Sequence, residues 1–90
     1  MNFTPTVGAI YTTSSYHAGT IEEIDIEKGR MIVNCGTSIP FKLVANKTVT
    51  VFDASEKMCE SKTAETLSAG DKVVLRMSWG KIEEIVCIRE

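Results

Sequence analysis

The chain is rich in β-branched side chains and poor in the residues that favour helices. Valine, isoleucine and threonine number 8, 9 and 10, against 3 leucines and 6 alanines. β-Branched side chains lose rotamer freedom in a helix, whereas they pack well on the pleated surface of a sheet. A length of 90 residues is enough for one domain with one modest core. The sequence therefore predicts a single all-β domain.

Charged residues are absent from the first part of the chain. All 10 Lys and Arg residues and all 12 Asp and Glu residues follow Ile21. We therefore divide the chain into an uncharged arm or first strand, residues 1–16, and a small β-domain, residues 17–90. An uncharged stretch of high β-propensity pairs readily with other strand edges when it is left bare. We expect the arm to be covered, either by its own domain or by a neighbouring subunit.

Turn residues divide the remainder of the chain into short strands. Residues 17–35 predict a β-hairpin, because Gly29 supplies the positive φ that its loop requires. Further strands are expected at residues 39–44, 48–52, 73–77 and 81–89. Pro40 belongs at the start or the edge of a strand, since proline has no N–H to donate to a ladder.

Two segments have more than one interpretation. Residues 54–61 are expected to form either a short helix or a loop, because Asp53 and Glu56 have the spacing of a capping box. Residues 81–89 are predicted as the last strand, with a helix as the alternative because their apolar side chains also share a helical face. Short strands separated by turns at regular intervals are typical of a small barrel or sandwich.

A four-residue segment occurs twice in the chain. Ile21-Glu22-Glu23-Ile24 recurs as Ile82-Glu83-Glu84-Ile85. Two isoleucines three positions apart point to opposite faces of a regular strand. An extra residue in the strand at the Glu pair, a β-bulge, returns both isoleucines to one face and bends the strand. We therefore predict a bulge at each Glu pair.

Several turn motifs follow one another along the chain. They are Gly19-Thr20-Ile21, Leu67-x-x-Gly70-Asp71-x-Val73 and Gly80-Lys81-Ile82-x-x-Ile85. Over about residues 18–88 their order resembles the small OB-like barrels of bacterial surface and periplasmic proteins, including the periplasmic copper chaperones. The resemblance implies an all-β fold, a small five- to six-stranded OB-like barrel with an N-terminal extended arm.

The resemblance does not extend to the copper site of that family. Copper chaperones bind the metal through a His after the second strand and a Trp and Met pair on the third. Cys35 occupies roughly the place of the His, and neither Trp nor Met occurs between Ile39 and Phe52. We therefore predict no metal site and no cofactor.

The sequence has no constellation typical of an enzyme. His17 is the only histidine, and we interpret it as structural because no Ser or Cys nucleophile is locally tied to it. Glu22-Glu23 and Glu83-Glu84 are not catalytic pairs, since adjacent residues on a strand point to opposite faces. We predict a non-enzymatic protein without catalytic residues.

The cysteines and the first residues bear on where the protein is made. Cys35, Cys59 and Cys87 are an odd number of cysteines without a CxxC spacing. This pattern is typical of reduced, mostly buried thiols and indicates synthesis in the cytoplasm. We expect no signal peptide, because the first residues have neither a basic leader nor an apolar run, and no membrane span. The localisation stays open, with a virion as one place of use.

We predict an interaction module that binds other protein chains. It would act as a homo-oligomer or as a structural subunit of a larger assembly, such as a virion or a surface structure. The predicted partner-binding residues are Phe3, Val7, Ile10, Tyr11, Tyr16 and Trp79. Trp79 at a turn tip either contacts the partner or packs over the end of the barrel.

The alternative function is a ligand-binding barrel for single-stranded nucleic acid or Cu(I). Binding of single-stranded nucleic acid needs a basic groove with exposed aromatic side chains. The formal net charge of −2 gives no basic surface of this kind. We therefore do not expect nucleic acid to be the partner.

Overall fold

A computed structural model describes residues 14–90 of the chain. The strands are β1 (Ser14–Asp25), β2 (Arg30–Asn34), β3 (Ser38–Lys42), β4 (Thr48–Asp53), β5 (Met58–Thr63), β6 (Lys72–Ser78) and β7 (Lys81–Arg89). One turn of 3-10 helix, Ala64–Thr66, lies between β5 and β6, and the described residues contain no α-helix. The prediction of an all-β domain is confirmed, and residues 81–89 form a strand rather than the alternative helix.

The strands form one sheet in the order β3-β2-β1-β6-β7-β4-β5. Neighbouring strands are antiparallel except for β4 and β7, which are parallel. Strand β1 pairs with β6 through residues 14–20 and with β2 through residues 20–25, so Thr20 has a partner on both sides. Within residues 14–90 the outer edges of β3 and β5 have no partner strand, so the sheet is not closed.

The structure has seven strands, where the sequence predicts five or six. The additional strand is β5, which lies in the segment interpreted as a helix or a loop. Asp53 caps backbone N–H groups, as its spacing from Glu56 predicted, but it stabilises a tight turn and not a helix. Its Oδ1 accepts hydrogen bonds from the backbone N–H of Ser55 at 3.0 Å and of Glu56 at 3.2 Å. Lys57 then adopts a φ of 56°. This left-handed conformation ends the turn and leads directly into β5.

Both predicted β-bulges are present in the sheet. The pairing of β1 with β2 shifts between Ile21 and Glu23, which leaves Glu22 as the extra residue. In β7 the partners of Arg76 and Met77 are Glu84 and Ile82, so that Glu83 is the extra residue. The four isoleucines of the two repeats lie in the core or pack against it, which confirms the reason given for the bulges.

One apolar cluster holds the sheet together. Its buried members are Ile21, Met31, Val33, Phe41, Leu43, Val49, Val51, Ala64, Leu67, Val73, Leu75, Ile85 and Cys87. Leu43, Ala64 and Leu67 lie outside the strands, and the others come from one face of every strand except β5. The six residues of β5 are all exposed. Because a single face of the sheet supplies nearly all of this cluster, the sheet curls around its own core.

The two edges of the sheet differ in their chemistry. Pro40 lies in the edge strand β3, opposite Ile32 of β2, as the sequence predicts. Proline blunts an edge because it offers no backbone N–H to an added strand. Strand β5 contains no proline, and a salt bridge of 3.1 Å joins Glu60 and Lys62 on its core-side face. Inward charges of this kind also discourage unwanted strand pairing.

Candidate functional site

The exposed aromatic residues lie at one end of the sheet. Trp79 is 78% exposed and Tyr16 is 70% exposed, so neither packs over the core. Tyr16 lies opposite Arg76 of β6, and Ser14 pairs with Ser78. We call this region, Ser14, Tyr16, Ser78, Trp79 and Gly80, the Trp79 end. Two of the predicted partner-binding residues, Tyr16 and Trp79, thus lie beside Ser14, where the described part of the chain begins.

The remaining predicted partner-binding residues are outside the described residues. They are Phe3, Val7, Ile10 and Tyr11. The proposed arm, residues 1–16, is therefore described only from Ser14 onward. That the arm is covered, by its own domain or by a neighbouring subunit, stays a prediction.

The turn between β6 and β7 has an unusual residue at its first position. Ser78 pairs with Lys81, so Trp79 and Gly80 form a two-residue hairpin loop. Their φ angles are 54° and 77°, the combination found in a type I′ turn. Asn-Gly is the favoured pair in this turn, whereas a bulky side chain at positive φ is strained. An exposed tryptophan here costs stability without filling the core.

A second feature lies where the curled sheet stays open. Residues 81–84 of β7 have no partner in β4, whose pairing with β7 begins at Ile85. Next to this free stretch is a pocket of about 360 Å³, which we call the seam pocket. It is lined by Lys42, Leu43, Val44, Lys47, Gly80, Lys81 and Ile82. The lining of the pocket combines aliphatic residues with three lysines, and it borders the Trp79 end at Gly80.

An ion pair fixes the opposite end of β7. Arg89 Nη2 donates hydrogen bonds to the Thr66 carbonyl oxygen at 2.8 Å and to Asp71 Oδ2 at 2.9 Å. Asp71 Oδ2 also accepts the backbone N–H of Ser68 at 2.9 Å. Partial burial raises the pKa of Asp71, but the hydrogen bonds from Arg89 and Ser68 outweigh it and the pKa is lowered overall. The arrangement joins the turn before β6 to β7 and is structural.

We expect Asp71→Asn to lower the free energy of unfolding at pH 7 by about 1 kcal/mol, a modest value because Arg89 is 40% exposed. A carboxylate with a lowered folded-state pKa stabilises the fold above its unfolded pKa of about 3.9, and this contribution is lost as the pH falls through the folded value. Urea unfolding at pH 7 and at about pH 3 should show the difference from the parent protein shrinking in acid. Glu65→Gln is the control, since Glu65 forms no ion pair among the described residues. A pH-independent difference for Asp71→Asn would contradict this assignment.

The single histidine lies between an aromatic ring and a serine hydroxyl. The ring of His17 meets the ring of Phe41 edge-on, with 5.7 Å between their centroids. Its Nε2 lies 3.3 Å from the Ser15 hydroxyl. The side chain is half-buried on the core side of β1. The Ser15 hydroxyl therefore lies beside the ring, although the sequence indicated no Ser or Cys tied to His17. The interpretation of His17 as structural stays a prediction.

The three cysteines are free, and they differ in burial. Cys87 is buried, Cys35 is half-buried and Cys59 is exposed, so the expectation of mostly buried thiols is wrong for Cys59. Burial, together with the negative charge of Asp71, raises the pKa of Cys87. Within residues 14–90 no three His, Cys, Asp or Glu side chains come together as metal ligands.

The sequence predicts Tyr16 and Trp79 as partner-binding residues, and no pattern in it indicated the seam pocket. Lys81 is far from Lys42 and Lys47 in the chain, and the three lysines line one pocket because the segment from the end of β3 to the start of β4 folds against the start of β7. In the part of the chain that the structure describes, no helix has the length and apolar character to span a bilayer. No protein-family model, no curated protein and no solved structure matches the chain.

Proposed function

We propose that this protein is a non-enzymatic structural subunit that binds further copies of itself through the Trp79 end. In this proposal the curled sheet is a small OB-like module that serves as a rigid support. The assembly would be repeated, as in a virion or a surface structure. The arm residues Phe3, Val7, Ile10 and Tyr11 would add contacts to the same interface.

The observation that supports the proposal most is the state of Trp79. Its side chain is 78% exposed, and its backbone has a φ of 54°. A bulky residue at positive φ costs roughly 1–3 kcal/mol, and such strain is found mainly at functional sites. Tryptophan is also the residue type most enriched among those that dominate binding energy at protein interfaces. A large apolar contact that is made only in the assembly accounts for both properties.

The position of Tyr16 supports the same surface. Tyr16 is 70% exposed on β1, and the strand begins at Ser14 beside Ser78. The arm therefore leaves the sheet next to the Trp79 turn. Extended chain rises about 3.3 Å per residue, so thirteen residues in that conformation would span roughly 40 Å, enough to cross a neighbouring copy of a small domain.

We expect Trp79→Asn to stabilise the fold and to weaken self-association. Asn-Gly suits the type I′ turn, so the free energy of unfolding should rise by about 1 kcal/mol. Light scattering over a concentration series should show the parent at a multiple of the 9.9 kDa chain mass and the variant shifted towards the monomer. Loss of an aromatic interface anchor corresponds to a dissociation constant roughly 30-fold higher or more.

Lys57→Asn is the matched control for this experiment. Lys57 has a φ of 56° and lies in the turn before β5, away from the Trp79 end. It should also gain stability, because asparagine tolerates positive φ, but its mass distribution should equal that of the parent protein. A parent protein that is monomeric at every concentration, or a Trp79→Asn variant that associates as strongly as the parent, contradicts the proposal.

A further inference from the structure

We propose that the seam pocket binds a small amphipathic anion, a molecule with a short alkyl chain and a carboxylate or phosphate head. The chain would lie on Leu43, Val44 and Ile82, and the head would lie among the ammonium groups of Lys42, Lys47 and Lys81. The proposal does not rest on self-association through the Trp79 end, although both surfaces include Gly80.

The apolar part of the pocket is provided by three aliphatic side chains. Leu43 is buried, and Ile82 packs against the core beside the bulge at Glu83. Val44 is 64% exposed, which is high for an aliphatic residue next to the core. An alkyl chain that covers Val44 would remove apolar surface from water, which is favourable in proportion to the area buried.

The lysines around this apolar surface have no carboxylate partners. Among residues 14–90 the salt bridges up to 4.0 Å involve other basic residues. The part of the chain that precedes Ser14 contains no Asp or Glu and therefore supplies no side-chain carboxylate. Three positive charges around a pocket with low-dielectric walls create a local field that attracts an anion. This concentration of charge occurs in a protein whose formal net charge is −2.

Acidic residues are near, but they line a different pocket. Glu83 and Glu84 line a neighbouring pocket together with Lys47 and Val44. Glu84 Oε1 lies 3.5 Å from Arg76 Nε, so the Glu84 carboxylate already forms an ion pair with Arg76. Lys47 thus lies between the two pockets, whereas Lys42 and Lys81 line only the seam pocket among those described. The seam pocket therefore keeps a net positive lining.

Backbone hydrogen bonds hold one wall of the pocket in place. Leu43 N donates to the Gly29 carbonyl oxygen at 2.9 Å, and Lys47 N donates to the Val44 carbonyl oxygen at 3.0 Å. Ala64 N donates to the Lys47 carbonyl oxygen at 2.9 Å. The wall is thus formed before a ligand arrives, and binding would require little ordering of the backbone. A volume of about 360 Å³ is near the lower end for small-molecule sites, which favours a short chain.

In the experiment the full chain is titrated with octanoate and with octyl phosphate. Binding is monitored by isothermal titration calorimetry and by the NMR chemical shifts of the backbone amides. Acetate has the anionic head without the chain, and octyltrimethylammonium has the chain with the opposite charge. We expect saturable binding of both octyl anions, with amide shifts centred on residues 42–47 and 80–82. Acetate should bind at least tenfold more weakly, and the cation should not bind at this site.

Substitutions separate the two parts of the pocket. Lys42→Gln and Lys81→Gln should each raise the dissociation constant for octanoate about tenfold, as expected for a lost charge-assisted hydrogen bond. Lys28→Gln is the control, since it removes the same charge from an exposed turn outside the pocket. Val44→Ser should weaken octanoate severalfold and leave the free energy of unfolding almost unchanged, because Val44 is largely exposed.

The outcome is decisive in either direction. Saturable binding that needs both the chain and the anionic head, and that is lost in the lysine variants but not in Lys28→Gln, supports the site. The proposal is overturned by an absence of saturable binding at the seam pocket, by equal binding of the cation, or by equal losses in Lys28→Gln and Lys81→Gln. Because the titration monitors residues 42–47 directly, its result does not depend on whether the Trp79→Asn variant changes the mass of the protein.

Discussion

Gly19→Ala should destabilise the protein strongly, because among the glycines of residues 14–90 an added Cβ meets the closest backbone atoms at position 19. A Cβ at position 19 would lie deep inside the van der Waals radius of the Asn34 carbonyl oxygen and 2.8 Å from the Asn34 carbonyl carbon. Both atoms belong to the backbone, so no side-chain rotation relieves the clash. We expect the free energy of unfolding, measured with urea, to fall by about 3 kcal/mol or more.

The reason is the double role of strand β1 at this point. Gly19 precedes Thr20, which pairs with Asn34 of β2 on one side and Lys72 of β6 on the other. The strand must change partners here, and the close approach of β2 leaves no room for a side chain. Thr20→Ala is the control, because it alters the next residue without adding atoms and should cost about 1 kcal/mol or less. A Gly19→Ala variant as stable as Thr20→Ala would show that the two strands do not approach as described.

Ile85→Ala should destabilise the protein by about 3–4 kcal/mol. Ile85 is completely buried and lies in the middle of the sheet, opposite Leu75 of β6 and Val49 of β4. Removing its side chain leaves a cavity bordered by two strands that cannot collapse into it without breaking their ladders. Unfolding by urea, followed by circular dichroism, measures the effect.

Ile88→Ala provides the comparison on the same strand. Ile88 points to the other face of β7 and is 36% exposed, so the same substitution should cost less than about 1 kcal/mol. Equal losses for Ile85→Ala and Ile88→Ala would mean that the core does not lie on the face to which the structure assigns it. The pair therefore tests the register of β7 after its bulge, since a shift by one residue would exchange the two isoleucines.

Local sequence patterns predicted those parts of the fold that depend on neighbouring residues. The two Ile-Glu-Glu-Ile segments predicted the bulges because the spacing of their isoleucines conflicts with strand alternation. Gly29 and Pro40 similarly marked a hairpin loop and an edge strand. For Gly29 and Pro40 a covalent property of the residue determines the conformation, and for the bulges the spacing of two nearby isoleucines is enough. Neither requires knowledge of distant contacts.

Features that depend on distant contacts were predicted poorly. Strand β5 was missed because its six residues are all exposed and show no apolar alternation, so that only pairing with β4 makes it a strand. The seam pocket was missed because its lysines come from two separate parts of the chain, the segment from Lys42 to Lys47 and the start of β7 at Lys81. Trp79 was identified from its turn, but the strain in its backbone became visible only from the φ angle.

The shared strand β1 also has a consequence for how the chain folds. The hairpins β1–β2, β2–β3, β4–β5 and β6–β7 join neighbours in sequence and can form early. The pairing of β1 with β6 brings Ser14 beside Ser78. Forming this ladder therefore closes a loop that contains most of the described chain. Closing so long a loop is costly in entropy and slows the search for the native pairing. We therefore expect the assembly of local hairpins to be fast and the docking of β1 onto β6 to limit the folding rate.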